Sequence, residues 1–245
     1  MTDTAAASAE QARALDGAAG RLGVSPDALM ALASFQCARL AHRLLDDLTG
    51  HPLVAVLAGP GNNGGDALGC ARHLSVWGHP VRAVALADLG DPEASYSRQV
   101  RAALASGVDL RPARGDPEPA IEWALQGAGL IVDGLLGTGS SGPTRGAIAA
   151  AVGRINASPA AVLAIDLPSG LDTTTGEARG ECVKADATLM LAIAKSGCLA
   201  SGSRPFVGQL WLADIGVPAE AYREVGVARP DFRGAGLERL EPGPT

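Results

Sequence analysis

From residue 53 onward the chain alternates short apolar runs with longer stretches of helical period. The runs are "LVAVLA", "VRAVALA", "LIVDGLL" and "AAVLAID"; between them stand "DALGCARHLSVWG", "EASYSRQVRAALASG" and "TRGAIAAAVGRINAS". Runs this apolar on both faces, spaced by helices, predict a parallel sheet covered on two sides. "ATLMLAI" and "QLWLADI" extend the sheet, with "AKSGCLASGSRP" expected as a loop between them. Upstream, Ser25-Pro26 reads as a helix cap followed by proline at the first helical position, and Leu29, Ala33, Cys37, Leu40 and Leu44 line one face until Gly50. A shorter alanine-rich helix precedes it. The pattern predicts one α/β domain over residues 1–228: a three-layer αβα Rossmann-like build, mostly parallel, with two N-terminal helices. From Arg229 to Thr245, glycine and proline with weak periodicity predict a poorly ordered tail.

Composition narrows the function. A net charge of −6 with 3% aromatic residues leaves no basis for a nucleic-acid surface. The N-terminus has no basic start with an apolar core behind it, and no apolar run reaches the ~18 residues of a membrane span. A soluble, cytoplasmic protein without a membrane partner is expected. Cys37, Cys70, Cys182 and Cys198 form no C-x-x-C and read as reduced core residues. Cys70 and His73 stand one helical turn apart, but no second pair completes a metal site.

In open parallel sheets, ligands bind beyond the carboxyl ends of the strands. Three such edges carry carboxylates: "GPGNNGGD" ending at Asp66, "IVDGLLGTGSSGPTRG" with Asp133, and "AIDLPSGLD" with Asp166, Ser169 and Asp172. Gly59, Gly61 and Gly64 spell G-x-G-x-x-G, and Asp88 lies where a ribose-binding acid belongs. Pro60 and the extra Gly65-Asp66 depart from that fingerprint. "NNGGD" says more: two amides, two glycines and a carboxylate at a helix start suit a hydroxylated or phosphorylated ligand. Asp133 or Asp166 alone would read as a loop cap; sharing an edge with "NNGGD" favours function. Ser169 lacks the G-x-S-x-G elbow of a hydrolase. Lys195 either reaches phosphate or snorkels at a loop.

Taken together and in order, "VAVLAGPGNNGGDALGCARHL", "IVDGLLGTGSSGPTRG", "AIDLPSGLDTTTGE", "VKADATLMLAIAKSG" and "LADIGVP" resemble the NAD(P)H-hydrate epimerase family, also called the YjeF N-terminal domain family. The resemblance implies an isomerase of metabolite repair that interconverts the R and S forms of NADHX and NADPHX. It implies functional coupling to a separate S-specific dehydratase, and a homodimer. It places Asn62, Asn63, Gly64, Gly65, Asp66 and the loop Gly137, Thr138, Gly139, Ser140, Ser141, Gly142, Pro143 against the dinucleotide. Asp166 would bind the hydrated ring and be catalytic, and Asn63, Asp133 and Ser169 would hold a potassium ion. The residue types agree: a strand-end carboxylate suits proton exchange at a ring hydroxyl, and amide, carboxylate and hydroxyl oxygens suit a hard cation. Ala67, Ala31, Ser34 and Leu191 depart from the family pattern without removing a proposed ligand. The rivals are an NAD-dependent oxidoreductase using Gly59, Gly61, Gly64 and Asp88, and a non-catalytic dinucleotide-binding scaffold.

Overall fold

The computed structural model describes residues 5–87, 91, 94–232, 234 and 236–240. A short strand β1 (Ala6–Ala7) leads into two helices, α1 (Ala9–Arg21) and α2 (Pro26–Asp46). Both starts are written locally. Ser8 Oγ accepts from Gln11 N at 3.2 Å while Ser8 N donates to Gln11 Oε1 at 3.0 Å, a reciprocal capping box. Ser25 Oγ accepts from Ala28 N, with Pro26 at the first position of α2.

The alternating half then runs β2 (Leu53–Ala58), α3 (Asn62–Val76), β3 (Val81–Ala85), α4 (Ser95–Ala105), β4 (Asp109–Pro112), α5 (Glu118–Leu125), β5 (Ala128–Gly134), α6 (Gly146–Ala157) and β6 (Ala161–Ile165). After β6 come β7 (Ala187–Leu191), β8 (Ala194–Lys195), α7 (Ser196–Leu199), α8 (Arg204–Val207), β9 (Gln209–Ala213), α9 (Ala219–Val225) and β10 (Leu237–Arg239). The main sheet has the order β10-β9-β7-β6-β5-β2-β3-β4 and is parallel except for β10, while β1 and β8 form a separate parallel pair. Chain order reverses between β2 and β5, so the crevice beyond their carboxyl ends is the topological switch point.

The sheet is buried on both faces by simple alternation. Val54, Val56 and Ala58 of β2 face the core under α1–α4, and Ala55 and Leu57 face the core under α5 and α6. This two-sided burial is why the sequence shows continuous apolar runs rather than alternating ones.

Three local expectations are corrected, and two elements carried no expectation from the sequence. The segment "AKSGCLASGSRP" is not a loop: it holds β8, α7, a turn of 3-10 helix and the start of α8, because Pro205 suits a helix start and Cys198 and Val207 are buried. The poorly ordered tail does not extend through residues 237–239, where Leu237, Glu238 and Arg239 pair antiparallel with Ala213, Leu212 and Trp211. "NNGGD" is not a loop before a helix but the opening of α3, since Gly61 at φ 94° turns the chain directly into it. Finally, β4 and α5 had no clear sequence signature; β4 is a largely exposed edge strand with no apolar face to betray it.

Candidate active site

Helix α3 begins without a side-chain cap, so its first backbone N–H groups open toward the crevice. Its approach to the sheet is close. A Cβ on Gly64 would lie 1.9 Å from Gly59 O, and one on Gly59 would lie 1.8 Å from Leu135 O. Glycine at these two positions is therefore what lets the β2 turn nest against the β5 turn. Asn62 is exposed at the mouth, while Asn63, Gly64, Gly65 and Asp66 are buried.

Asn63, Asp133 and Ser169 meet around the backbone of Leu136. Asn63 Nδ2 donates to Leu136 O at 2.8 Å, and Leu136 N donates to Ser169 Oγ at 2.9 Å. Ser169 Oγ donates to Asp133 Oδ1 at 2.7 Å, and Ser169 N to Asp133 Oδ2 at 2.9 Å. Asp133 is fully buried, and burial pushes its carboxyl up to about 6 against these hydrogen bonds. Asn63 Oδ1 is buried without a partner. A buried, orphaned amide oxygen beside a buried carboxylate and a hydroxyl is a donor set that fits a hard, oxygen-seeking cation. Among the described residues no group of three or more His, Cys, Asp or Glu side chains could hold a metal ion.

Asp166 follows β6 with a left-handed backbone, φ 69°, which is rare for a residue other than glycine. Such a conformation persists only when surroundings over-determine it, and strained residues of this kind cluster at functional sites. Here the side chain is held from three directions. Thr138 Oγ1 donates to Asp166 Oδ2 at 2.6 Å, Thr138 N donates to the same oxygen at 3.2 Å, and Lys195 Nζ forms an ion pair with Oδ1. Lys195 also donates to Leu191 O at 2.7 Å. Burial pushes the Asp166 carboxyl up, but the Lys195 ammonium and the Lys195 and Thr138 hydrogen bonds outweigh it and hold the group below its usual range. Asp66 is the reverse case. Burial, then the charges of Asp166 and Asp16, push it well above the ordinary carboxylate range, with Lys195 opposing.

The loop from Gly139 to Pro143 is exposed beside this pair, and Gly137 and Thr138 are half-buried at its base. Thr138 spends both its donors on Asp166, so its visible work is to fix that carboxylate. Lys195, left open between phosphate contact and snorkelling, is neither: it is buried and ion-paired. Its burial was hidden because β8 went unrecognised. Asp172 stands apart from the pair, accepting from Thr174 N and Thr175 N in its own turn. Asp88 lies outside the described residues. Of the departures, Ala31 is exposed, Ser34 packs against Gly69, the Ala67 methyl fills the space over Gly134, and Leu191 meets the site through its backbone carbonyl, which accepts from Lys195. All four cysteines are buried and free.

An uncapped helix at the switch point of a mostly parallel sheet, with a buried carboxylate–lysine pair at the same edge, defines a Rossmann-like α/β domain whose buried charged groups gather at that crevice. More particularly, the chain belongs to the family described as YjeF-related protein N-terminus, whose model matches residues 26–197. It is 36% identical to an NAD(P)H-hydrate epimerase of Rhodopirellula baltica over 77% of this chain and 76% of that protein. It is 37% identical to an NAD(P)H-hydrate epimerase of Limosilactobacillus fermentum over 66% of this chain and 74% of that one. A bifunctional NAD(P)H-hydrate repair enzyme of Pyrobaculum aerophilum is 40% identical over 71% of this chain, which spans only 34% of that protein. The crystal structure of the yeast protein YNL200c superposes with a TM-score of 0.82 at 20% identity, covering 96% of this chain and 99% of that one, and shares the fold.

Proposed function

We propose that this protein is an NAD(P)H-hydrate epimerase, an isomerase that interconverts R and S NADHX and NADPHX. The observation that carries the reading is Asp166: an ionised carboxylate fixed by Lys195 and Thr138 at a strained strand end, in a domain whose epimerase relatives match it over most of their length. Inverting a carbon that bears a hydroxyl beside a ring nitrogen needs a proton moved to and from oxygen as the C–O bond breaks and reforms. A positioned carboxylate does this, and neither a thiol nor a hydride carrier is required. The free N–H groups at the start of α3 and the 137–143 loop would receive the substrate's phosphates. Mixed with a purified S-specific dehydratase, the protein should allow a pool of R NADHX to be consumed completely, because removing S pulls the interconversion forward. R substrate persisting with both proteins present contradicts the assignment.

The reading includes a potassium ion at Asn63, Asp133 and Ser169. When bound, the ion supplies fixed positive charge that holds the β2, β5 and β6 turns together; the chain's own residues do the proton work. A pH signature follows. In the ion's absence the Asp133 carboxyl is raised from an ordinary 3.8 to about 6, so the stability tied to its neutral form is complete below 3.8 and lost as pH rises through 6. A cation reverses this cost only where the carboxylate is ionised. Replacing tetramethylammonium by K⁺ should therefore stabilise the protein at pH 8 by about 1.4 kcal/mol at ten times Kd, read as a higher melting temperature, and raise it distinctly less at pH 5, where most of the carboxyl is neutral. Equal curves at pH 8, or an equal shift at both pH values, count against the site.

The reading extends to a homodimer. The exposed Leu32 and Phe35 on α2, with Val76 and Trp77 at the end of α3, support it as an apolar face, and light scattering tests it. No helix among the described residues is long and apolar enough to cross a membrane.

A further inference from the structure

Away from the crevice, the C-terminal half of α2 builds a second recess. Arg39, His42, Arg43 and Asp46 stand three or four residues apart and so share one face of the helix. With Trp77 at the end of α3 and Leu237 at the start of β10 they line a cavity of about 510 Å³, within the ~300–1,000 Å³ of small-molecule sites. Because α3 is 15 residues long and opens at the crevice, Trp77 at its far end stands roughly 22 Å from Asn62. The recess is therefore separate from the crevice. Its cations are held in place by their own neighbours. Gln36 is buried, and its Nε2 donates to Asp214 O at 3.0 Å and to Gly236 O at 2.8 Å. That fixes its Oε1, which accepts from Arg39 Nη1 at 2.9 Å. The Arg43 guanidinium lies over Trp211, 5.3 Å from the ring centroid. Among the described residues neither arginine forms an ion pair with a carboxylate, although Asp46 lines the same recess. Trp77 is fixed by edge contacts to Phe35 at 5.9 Å and His42 at 5.8 Å, and His42 Nδ1 is itself 2.9 Å from His79 Nε2. The indole nevertheless stays 38% exposed.

We propose that this recess is a second ligand site, for an organic phosphate that carries a planar ring, with a nucleoside monophosphate as the class that matches it. Arg39 and Arg43 take the phosphate, since a guanidinium presents a planar fork of donors suited to phosphate oxygens and neither fork is neutralised by a carboxylate here. Trp77 takes the ring by stacking, at little ordering cost because its neighbours already fix it. Asp46, a pure acceptor when ionised, takes sugar hydroxyl protons at the same face. A bare anion would leave the indole uncovered, and a neutral ring would leave the guanidiniums unpaired, so the two halves of the ligand are both required. None of the groups placed in the proton chemistry of the crevice lines this recess, which holds its ligand without transforming it and does so whether or not the protein is an epimerase.

Titration of the whole protein with AMP, with inorganic phosphate and with adenosine, followed by calorimetry and by the NMR signal of the Trp77 indole N–H, tests the site. AMP should bind with a Kd below about 1 mM and shift that signal, and each half alone should bind at least ~10-fold more weakly. Arg39→Gln should weaken AMP and inorganic phosphate alike, by about 10-fold. Trp77→Leu should weaken AMP by about 5-fold or more while leaving inorganic phosphate within about twofold. Both substitutions change exposed side chains, and circular dichroism checks that each variant is folded; if one is not, the other still decides. A Kd for AMP that neither substitution moves, or NMR shifts confined to residues 62–66 and 137–143 of the crevice, overturns the proposal. Trp77 also belongs to the apolar face at the end of α3, so AMP should bind equally well at protein concentrations where light scattering shows one copy and two. Binding lost on dimerisation places the recess beneath the second copy and overturns the site as well.

Discussion

Asp166→Asn is expected to lower turnover by about 10²–10⁴-fold, the usual range for loss of a positioned acid–base group. Asparagine suits the test because it is nearly isosteric and tolerates the left-handed backbone that Asp166 adopts. The amide cannot exchange the proton. The substitution also has a structural cost that the sequence did not reveal. Lys195 and Asp166 have side chains only 4% and 11% exposed, so the asparagine variant leaves a buried ammonium with the carbonyl of Leu191 but no counter-charge. Breaking a buried pair from one side costs about 3–5 kcal/mol. Melting should therefore fall along with activity. Adding Lys195→Met removes the stranded charge, and the double variant should recover much of the melting temperature without recovering turnover. That split separates chemistry from stability, and turnover within threefold of wild type in Asp166→Asn would remove the residue from the mechanism.

Gly59→Ala is expected to be the most damaging single methyl at the site. The added carbon would sit 1.8 Å from Leu135 O and within 2.8 Å of two further backbone atoms, so no side-chain rotation can relieve it. The cost should reach about 3 kcal/mol, the upper end for overpacking, or roughly 6–12 °C in a domain of this size. The displaced segment includes Leu136, whose carbonyl and N–H hold Asn63 and Ser169, so K⁺-dependent stabilisation should disappear as well. Gly139→Ala is the control: nothing lies within 4 Å of its Cβ, and it should change stability by less than about 0.5 kcal/mol. Equal melting of the two variants would mean that the β2 and β5 turns are not nested as described.

The parallel sheet was legible because two-sided burial leaves continuous apolar runs, and α2 because Ser25 and Pro26 announce its start. The carboxylates Asp133 and Asp166 were legible because they end such runs. What stayed hidden depends on contacts distant in sequence. Lys195 is ion-paired to a residue 29 positions away, on a two-residue strand too short to show any period. The N-terminal strand β1 is likewise tied to β8 by two pairings with the opposite half of the chain. The opening of α3 was misplaced because adjacent glycines argue against helix locally, whereas packing decides here: a Cβ on Gly65 would meet the Met30 side chain at 2.6 Å.

The most direct measurement is to give the purified protein pure R NADHX, and separately pure S NADHX, and to follow both epimers by chromatography. The account predicts that the two reactions converge on one R:S ratio, at rates proportional to enzyme, with no NADH consumed or released and with the acceleration lost in Asp166→Asn. Epimers that interconvert no faster than in buffer alone, or hydride transfer from added NADH to a second substrate, would contradict it.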